Sequence, residues 1–180
     1  MREYILDKNK QLSVYDDVFD LRVRQNIFLV ALNSKFSIGW SDGVILDNSI
    51  NRFLHAAWTD RELSECGILE AIGETPVAKE IGSLKLSRAI LNLATPNDSY
   101  FYHAHSEKKI LLYYVNLEWL DGWHGETLFF DESGRDILFT SRFTPNRIIA
   151  FDGSIPHALR PPSILATKFR FSLALIYDHF

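Results

Sequence analysis

The sequence predicts an α+β chain that is mainly β, with helices in its first half and short strands in its second half. In the first half, apolar residues recur at near-helical spacing, as in Leu63, Ile68 and Ile72. From about Leu86 onward, short apolar runs separated by turn-forming residues replace that spacing. Seven such runs predict a sandwich or jelly roll rather than a parallel sheet.

Helices are predicted wherever the apolar spacing stays close to one turn of an α-helix. The first lies within residues 18–32, and further helical turns follow at 63–72 and 77–84. Thr59 and Glu62 have the spacing of a capping box, in which each side chain bonds the other residue's backbone N–H. Thr59 therefore predicts the N-terminus of the second helix.

Strands are predicted between turns rich in proline, glycine, asparagine, aspartate and serine. Their ranges are 87–93, 99–105, 110–116, 126–130, 137–140, 147–151 and 168–177. Residues 33–49 are polar and contain two glycines, and they predict a loop or short strands.

The length of the chain predicts one domain. With 180 residues, of which 47% are hydrophobic, the chain is long enough for one well-filled core and too short for two. Residues 1–86 are expected to form a mainly helical support, and residues 87–180 a jelly-roll core that carries the activity.

Composition also narrows the classes of partner. A net charge of -4 without any block of basic residues gives no indication of nucleic-acid binding. The single cysteine, Cys66, has no intramolecular disulfide partner, which is typical of a reducing compartment. No apolar run reaches the roughly 18 residues of a membrane span. We therefore expect a cytoplasmic protein that does not bind membranes.

The most informative pattern is a cluster of potential metal ligands. His103, His105 and Glu107 alternate along the chain, so their side chains point to one face if the segment is a strand. His157 follows about fifty residues later, and Arg170 lies within an apolar strand. Two ligands at i and i+2 plus one distant histidine have the sequence form of a facial triad, which leaves three positions on iron(II) open. A mononuclear iron oxygenase is the leading hypothesis.

Four segments in the second half carry a family resemblance. They are Tyr113-Tyr114-Val115-Asn116, residues 122–130, residues 145–157, and Arg170-Phe171-Ser172-Leu173. In this order they resemble the prolyl 4-hydroxylase-like branch of the 2-oxoglutarate and iron(II)-dependent oxygenases, over roughly residues 87–177. The resemblance implies a double-stranded β-helix (jelly roll) that binds Fe(II), 2-oxoglutarate and O2, and hydroxylates an unactivated C–H bond.

The resemblance also implies roles for individual residues. His157 would be the distal iron ligand. Arg170 would form a two-pronged salt bridge to the far carboxylate of 2-oxoglutarate, a role that suits the planar guanidinium. Tyr114 would help to hold the same carboxylate, while Tyr113 would face the other way into packing. The substrate would be a prolyl-like side chain of a protein or a small amino-acid-like metabolite.

The chain departs from the family at the proximal ligands, where the usual triplet is His-Xaa-Asp. In one register His105 and Glu107 bind the metal, which keeps a carboxylate in the ligand set. In the other, His103 and His105 bind and give a three-histidine site. The second register fits the short segment between Glu107 and Ile110, which puts Glu107 at a tight turn.

Two further functions are compatible with this pattern. A metal-dependent jelly-roll dioxygenase that does not use 2-oxoglutarate would bind metal and be indifferent to the loss of Arg170. A non-catalytic binding barrel would take up no metal at all. Oligomeric state does not follow from the sequence.

Overall fold

The computed structural model describes residues 1–6, 10–39, 54–98 and 102–179. Its helices are Leu21–Leu32 (α1), Asp60–Cys66 (α2), Ile68–Gly73 (α3) and Ala78–Ile81 (α4). Its strands are Arg2–Ile5 (β1), Gln11–Tyr15 (β2), Ser37–Ile38 (β3), Leu54–Trp58 (β4), Lys85–Ala94 (β5), Lys109–Tyr114 (β6), Thr127–Phe130 (β7), Ile137–Ser141 (β8), Ile148–Asp152 (β9), His157–Leu159 (β10) and Arg170–Asp178 (β11). A short 3-10 helix covers Asp121–Trp123.

The strands form two antiparallel sheets. The large sheet has eight strands in the order β1-β2-β9-β6-β11-β5-β4-β3, and the small sheet has the order β10-β7-β8. The predicted class, α+β and mainly β with a jelly-roll core, is confirmed.

The large sheet separates two apolar clusters, because successive side chains of a strand point to opposite faces. In β11, Phe171, Leu173 and Leu175 pack in the cluster that includes the helices. Ala174 and Ile176 face the small sheet and pack in the second cluster. The candidate site lies on this second face, between the two sheets.

The helices begin where polar side chains cap them. Asp20 accepts a hydrogen bond from the Val23 backbone N–H (2.9 Å) at the start of α1. At α2 the predicted capping box of Thr59 and Glu62 is confirmed. Gly67, with a φ of 69°, ends α2, because the left-handed conformation there favours glycine.

The sequence prediction was incomplete in two regions. In the first 86 residues, strands β1, β2 and β4 of the large sheet were not predicted. The short strand β3 lies within residues 33–49, which were predicted as a loop or short strands. The predicted strand 99–105 was wrong within its described part, where His103 forms only an isolated bridge with His157. Residues 99–101, and residues 40–49 of the predicted loop, lie outside the described ranges. The single-domain organisation stays a prediction.

None of the described helices is long and apolar enough to cross a membrane, and the longest of them, α1, has 12 residues.

Asn146 joins the turn before β9 to the segment before α1. Its side chain accepts a buried hydrogen bond from the Phe19 N–H (3.0 Å) and donates one to the Phe19 carbonyl (2.9 Å). Asn146→Ala would leave both backbone groups unpaired and keep a positive φ of 63° that alanine disfavours. We expect a loss of about 2–4 kcal/mol in the free energy of unfolding, measured by urea denaturation. Asn97→Ala, in an exposed turn, is the control and should change it by less than about 0.5 kcal/mol.

Candidate metal centre

Three histidines meet between the two sheets. His157 begins β10, and its backbone forms reciprocal hydrogen bonds with His103, from N–H to carbonyl at 2.9 and 3.0 Å. The His105 N–H donates to the Gly153 carbonyl (2.8 Å) in the turn between β9 and β10. These backbone bonds hold two segments that are about fifty residues apart in sequence side by side, with the three imidazoles on one side.

The ligand atoms of the three side chains are close enough to share one ion. One ring nitrogen each from His103, His105 and His157 lies within 4.8 Å of the others. The His157 Nδ1 is 3.0 Å from the Ile155 carbonyl oxygen. With the proton on Nδ1, this contact is a hydrogen bond that fixes the ring and leaves the Nε2 lone pair for a metal.

Burial keeps the imidazoles of His103 and His157 neutral. It lowers the pKa of His157 to about 3, with a further contribution from the neighbouring His105. Burial also lowers the pKa of His103 to about 2, and the imidazoles of His157 and His105 add to the effect. Metal binding requires the unprotonated ring, so the cluster presents the form of histidine that a metal binds at neutral pH.

The Glu107 carboxylate is not part of this cluster. Its Oε1 accepts a hydrogen bond from Nη2 of Arg88 on β5 (2.7 Å), and its Oε2 accepts one from the Ser106 hydroxyl (3.3 Å). Of the four proposed metal ligands, the structure thus brings together His103, His105 and His157 and pairs Glu107 with Arg88.

Arg170 begins β11 and is fully buried. Its guanidinium donates to the Gly125 carbonyl (2.8 Å), the Ser172 hydroxyl (3.0 Å) and the Thr127 hydroxyl (3.3 Å). Burial lowers the pKa of Arg170 to about 10, so the side chain remains charged at neutral pH. Within the described ranges no carboxylate forms an ion pair with it, and the nearby Glu126 contacts His124 and Arg160 instead.

Tyr114 lies beside Arg170. The tyrosine hydroxyl donates to Thr127 Oγ1 (2.8 Å), and the ring centroid is 5.3 Å from the guanidinium carbon. Tyr113 packs on the opposite face of the sheet, in an edge contact with Phe19 at 5.2 Å between ring centroids. Successive residues of a strand point to opposite faces, which accounts for this difference.

A cavity connects the histidines with the surroundings of Arg170. Its volume is about 60 Å³, which is room for several water molecules or a small ligand. The wall is mostly aliphatic, with Ile90, Leu112, Leu159 and Ala174 among its residues. Polar groups in the wall, apart from the histidines, come from Asn92, Thr127 and Ser172.

The sequence prediction missed the roles of these polar residues and of Gly153. Ser172 follows Arg170 by two, so the strand period could have identified it as a neighbour on the same face. Thr127 and Asn92 carry no comparable signal, because only the pairing of their strands brings them to the cavity.

Comparison with solved structures identifies the fold. A prolyl-4-hydroxylase from Pseudomonas putida superposes with a TM-score of 0.66 at 13% identity, over 93% of this chain and 92% of that one. A prolyl hydroxylase from Trichoplax adhaerens, in complex with a hypoxia inducible factor oxygen degradation domain peptide fragment, gives 0.63 at 15%, over 93% and 83%. A 2OG-Fe(II) oxygenase family oxidoreductase from Burkholderia pseudomallei gives 0.63 at 15%, over 93% and 84%.

The chain therefore has the jelly-roll fold of the 2-oxoglutarate and iron(II) oxygenases. At these identities the similarity shows the fold alone. No protein-family model matches the sequence, and no curated protein matches it.

Gly153 permits the close contact that holds His105. A Cβ atom at this position would lie 2.0 Å from the Glu107 carbonyl oxygen and 3.4 Å from the His105 Cβ. Gly153→Ala must therefore separate the two segments, and we expect it to weaken metal binding about tenfold or more, measured by calorimetry. Gly122→Ala is the matched control, because no atom lies within 4 Å of its added methyl group. Equal metal affinities in the two variants would contradict this role.

Proposed function

We propose that this protein is an iron(II)- and 2-oxoglutarate-dependent dioxygenase whose metal is bound by His103, His105 and His157. The observation that carries the proposal is the cavity itself, which joins the three imidazoles of the cluster to the surroundings of a buried arginine. The ring nitrogens lie close enough together to bind one ion, and no described carboxylate forms an ion pair with Arg170.

The histidine cluster has the donors that iron(II) accepts. Imidazole suits iron, copper, nickel and zinc, and three protein ligands leave open positions for exchangeable ligands. The fold adds support for iron, because solved structures with this fold are iron(II) oxygenases. Identification of the metal rests on these two arguments together.

Arg170 has the environment of a carboxylate receptor. Burying a charge without an ionic partner is costly, and hydrogen bonds to neutral hydroxyl and carbonyl groups offset only part of that cost. A guanidinium binds a carboxylate through two parallel N–H donors. Tyr114 and Thr127 add hydroxyl groups beside it. A dicarboxylate that reaches from the metal toward Arg170 would match the positive charge at each end.

Iron(II) with 2-oxoglutarate and O2 supplies the oxidising chemistry, in which one oxygen atom enters a C–H bond and the other enters succinate as carbon dioxide is released. The chain's own residues bind and orient. The histidines fix the position of the metal, and Arg170 and Tyr114 fix the far carboxylate. The aliphatic wall excludes bulk water, which strengthens these electrostatic contacts.

The reaction that we propose is hydroxylation of a prolyl-like side chain in a protein or of a small amino-acid-like metabolite. Two proteins with this fold are named prolyl hydroxylases, and one of them is in complex with a peptide fragment. The net charge of -4 disfavours a nucleic-acid substrate. A cytoplasmic location and the absence of a membrane partner are part of the same proposal.

A second candidate is a metal-dependent jelly-roll dioxygenase that does not use 2-oxoglutarate. The observation that favours it is the three-histidine cluster, because other iron enzymes that use oxygen carry this ligand set. The buried Arg170 favours the first candidate. A binding barrel without catalysis would require that the histidines take up no metal.

The ligand set can be tested with two single substitutions. His103→Ala removes one of three donors, and we expect it to weaken iron(II) binding by more than about 100-fold, beyond the effect typical of supporting residues. Glu107→Gln should leave the affinity within about threefold, because that carboxylate contacts Arg88. Anaerobic calorimetry gives both values, with His124→Ala as a control at a half-exposed histidine. The reverse order of effects would identify Glu107 as the ligand.

The cosubstrate can be tested through Arg170. We expect the iron-loaded protein to develop a saturable visible charge-transfer band as 2-oxoglutarate is added without oxygen. Arg170→Lys keeps the charge but loses the two-pronged donor, and it should weaken 2-oxoglutarate binding about 100-fold. Arg160→Ala, which removes a half-exposed arginine, should bind normally. Metal uptake without any band in the unaltered protein would favour the second candidate.

A further inference from the structure

Asn92 is a polar side chain of the cavity wall for which neither the sequence nor the proposed function gives a role. It lies on β5 and faces the histidines across the cavity. Within the described ranges, its amide group makes no side-chain hydrogen bond, whereas Thr127 and Ser172 both contact Arg170. An amide with two donors and an acceptor is therefore available to a ligand.

The strand pairing gives the position of Asn92 along the cavity. In the large sheet, Asn92 pairs with Ser172, and Ser172 pairs with Tyr114, so the three residues form one row across β5, β11 and β6. Neighbouring strands are about 4.8 Å apart, so Asn92 is two strands away from Tyr114. Asn92 and Tyr114 thus lie at opposite ends of one row of paired residues that crosses three strands.

Across the cavity, the strands of the small sheet follow an order that corresponds to that of the large sheet. Thr127 of β7 bonds Tyr114 from the opposite wall. From β7 the small sheet continues to β10, and the His103 segment is bridged to β10 through His157. The large sheet runs from β6 through β11 to β5 in the same direction, because Arg88 of β5 pairs with Glu107 of the His103 segment as Tyr114 of β6 pairs with Thr127 of β7. The metal ligands therefore lie on the same side of the cavity as Asn92, and Tyr114 lies on the other.

From this order we propose that Asn92 binds the metal-chelating end of the dicarboxylate, while Arg170 and Tyr114 bind its far end. The inference rests on the proposed function. The Asn92 amide N–H donates to a carboxylate or keto oxygen beside the metal and orients it. Asn92 is thus a positioning residue for the cosubstrate, supplied by a strand that carries no metal ligand.

The test compares Asn92→Ala and Asn92→Leu with the unaltered protein, each loaded anaerobically with iron(II) and titrated with 2-oxoglutarate. We expect both variants to bind 2-oxoglutarate about tenfold more weakly, since a hydrogen bond to a charged group is lost. Leucine has the branched shape of asparagine and a somewhat larger volume, and alanine is smaller, so a loss shared by both variants is neither an effect of empty space nor one of crowding. The affinity for iron(II) itself should stay unchanged.

The charge-transfer band reports which end of the ligand is affected. A contact at the chelating end predicts a shifted absorption maximum in both Asn92 variants, and no shift in Arg170→Lys at saturating 2-oxoglutarate. Weaker binding with an unshifted band, or binding within twofold of the unaltered protein, overturns the inference and leaves the proposed function intact. Failure of the unaltered, iron-loaded protein to bind 2-oxoglutarate overturns both.

Discussion

The buried charge of Arg170 is the constraint on which the arrangement between the two sheets depends. A guanidinium without exposure to water must find hydrogen-bond acceptors in the protein, since an unsatisfied buried donor costs about 1–3 kcal/mol. Gly125 supplies one from the residues just before β7, Thr127 one from β7, and Ser172 one from β11 itself. Arg170 thereby connects the large sheet to the small one, and the polar part of the cavity forms around it.

The sequence predicted the class of fold and most strands of the second half, because alternation of apolar residues and turn chemistry are local signals. It did not predict β1, β2 and β4. These strands are short or lie beside helical patterns, and their pairing with β9 and β5 is a long-range property. His105 was proposed as a site residue from alternation, and His157, Arg170 and Tyr114 from the family resemblance; the structure brings His105 next to His157 and Tyr114 next to Arg170. The choice between His103 and Glu107 depends on the fold, because the Arg88 that pairs with Glu107 lies on another strand.

The three-histidine cluster changes the electrostatics of the site relative to a set with one carboxylate. In the proposed enzyme, three imidazole ligands would leave the full charge of the divalent ion uncompensated, and Arg170 adds one more positive charge to the same region. The polar residues of the cavity wall carry no negative charge that would oppose them. An anionic ligand then supplies the negative charge that a protein carboxylate would supply in part if it bound the metal. In the proposed enzyme, binding of the metal and binding of an anion at Arg170 would therefore strengthen each other.

The position of β11 has a consequence for synthesis of the protein in the cell. Although β11 is the last strand in sequence order, it lies between β6 and β5 in the middle of the large sheet. On the ribosome, the earlier strands emerge without the partner that joins them, and both of its neighbours expose unpaired backbone edges. Final assembly of the sheet therefore has to wait until Arg170–Asp178 has emerged, and the site between the sheets closes only after this strand has paired with both neighbours.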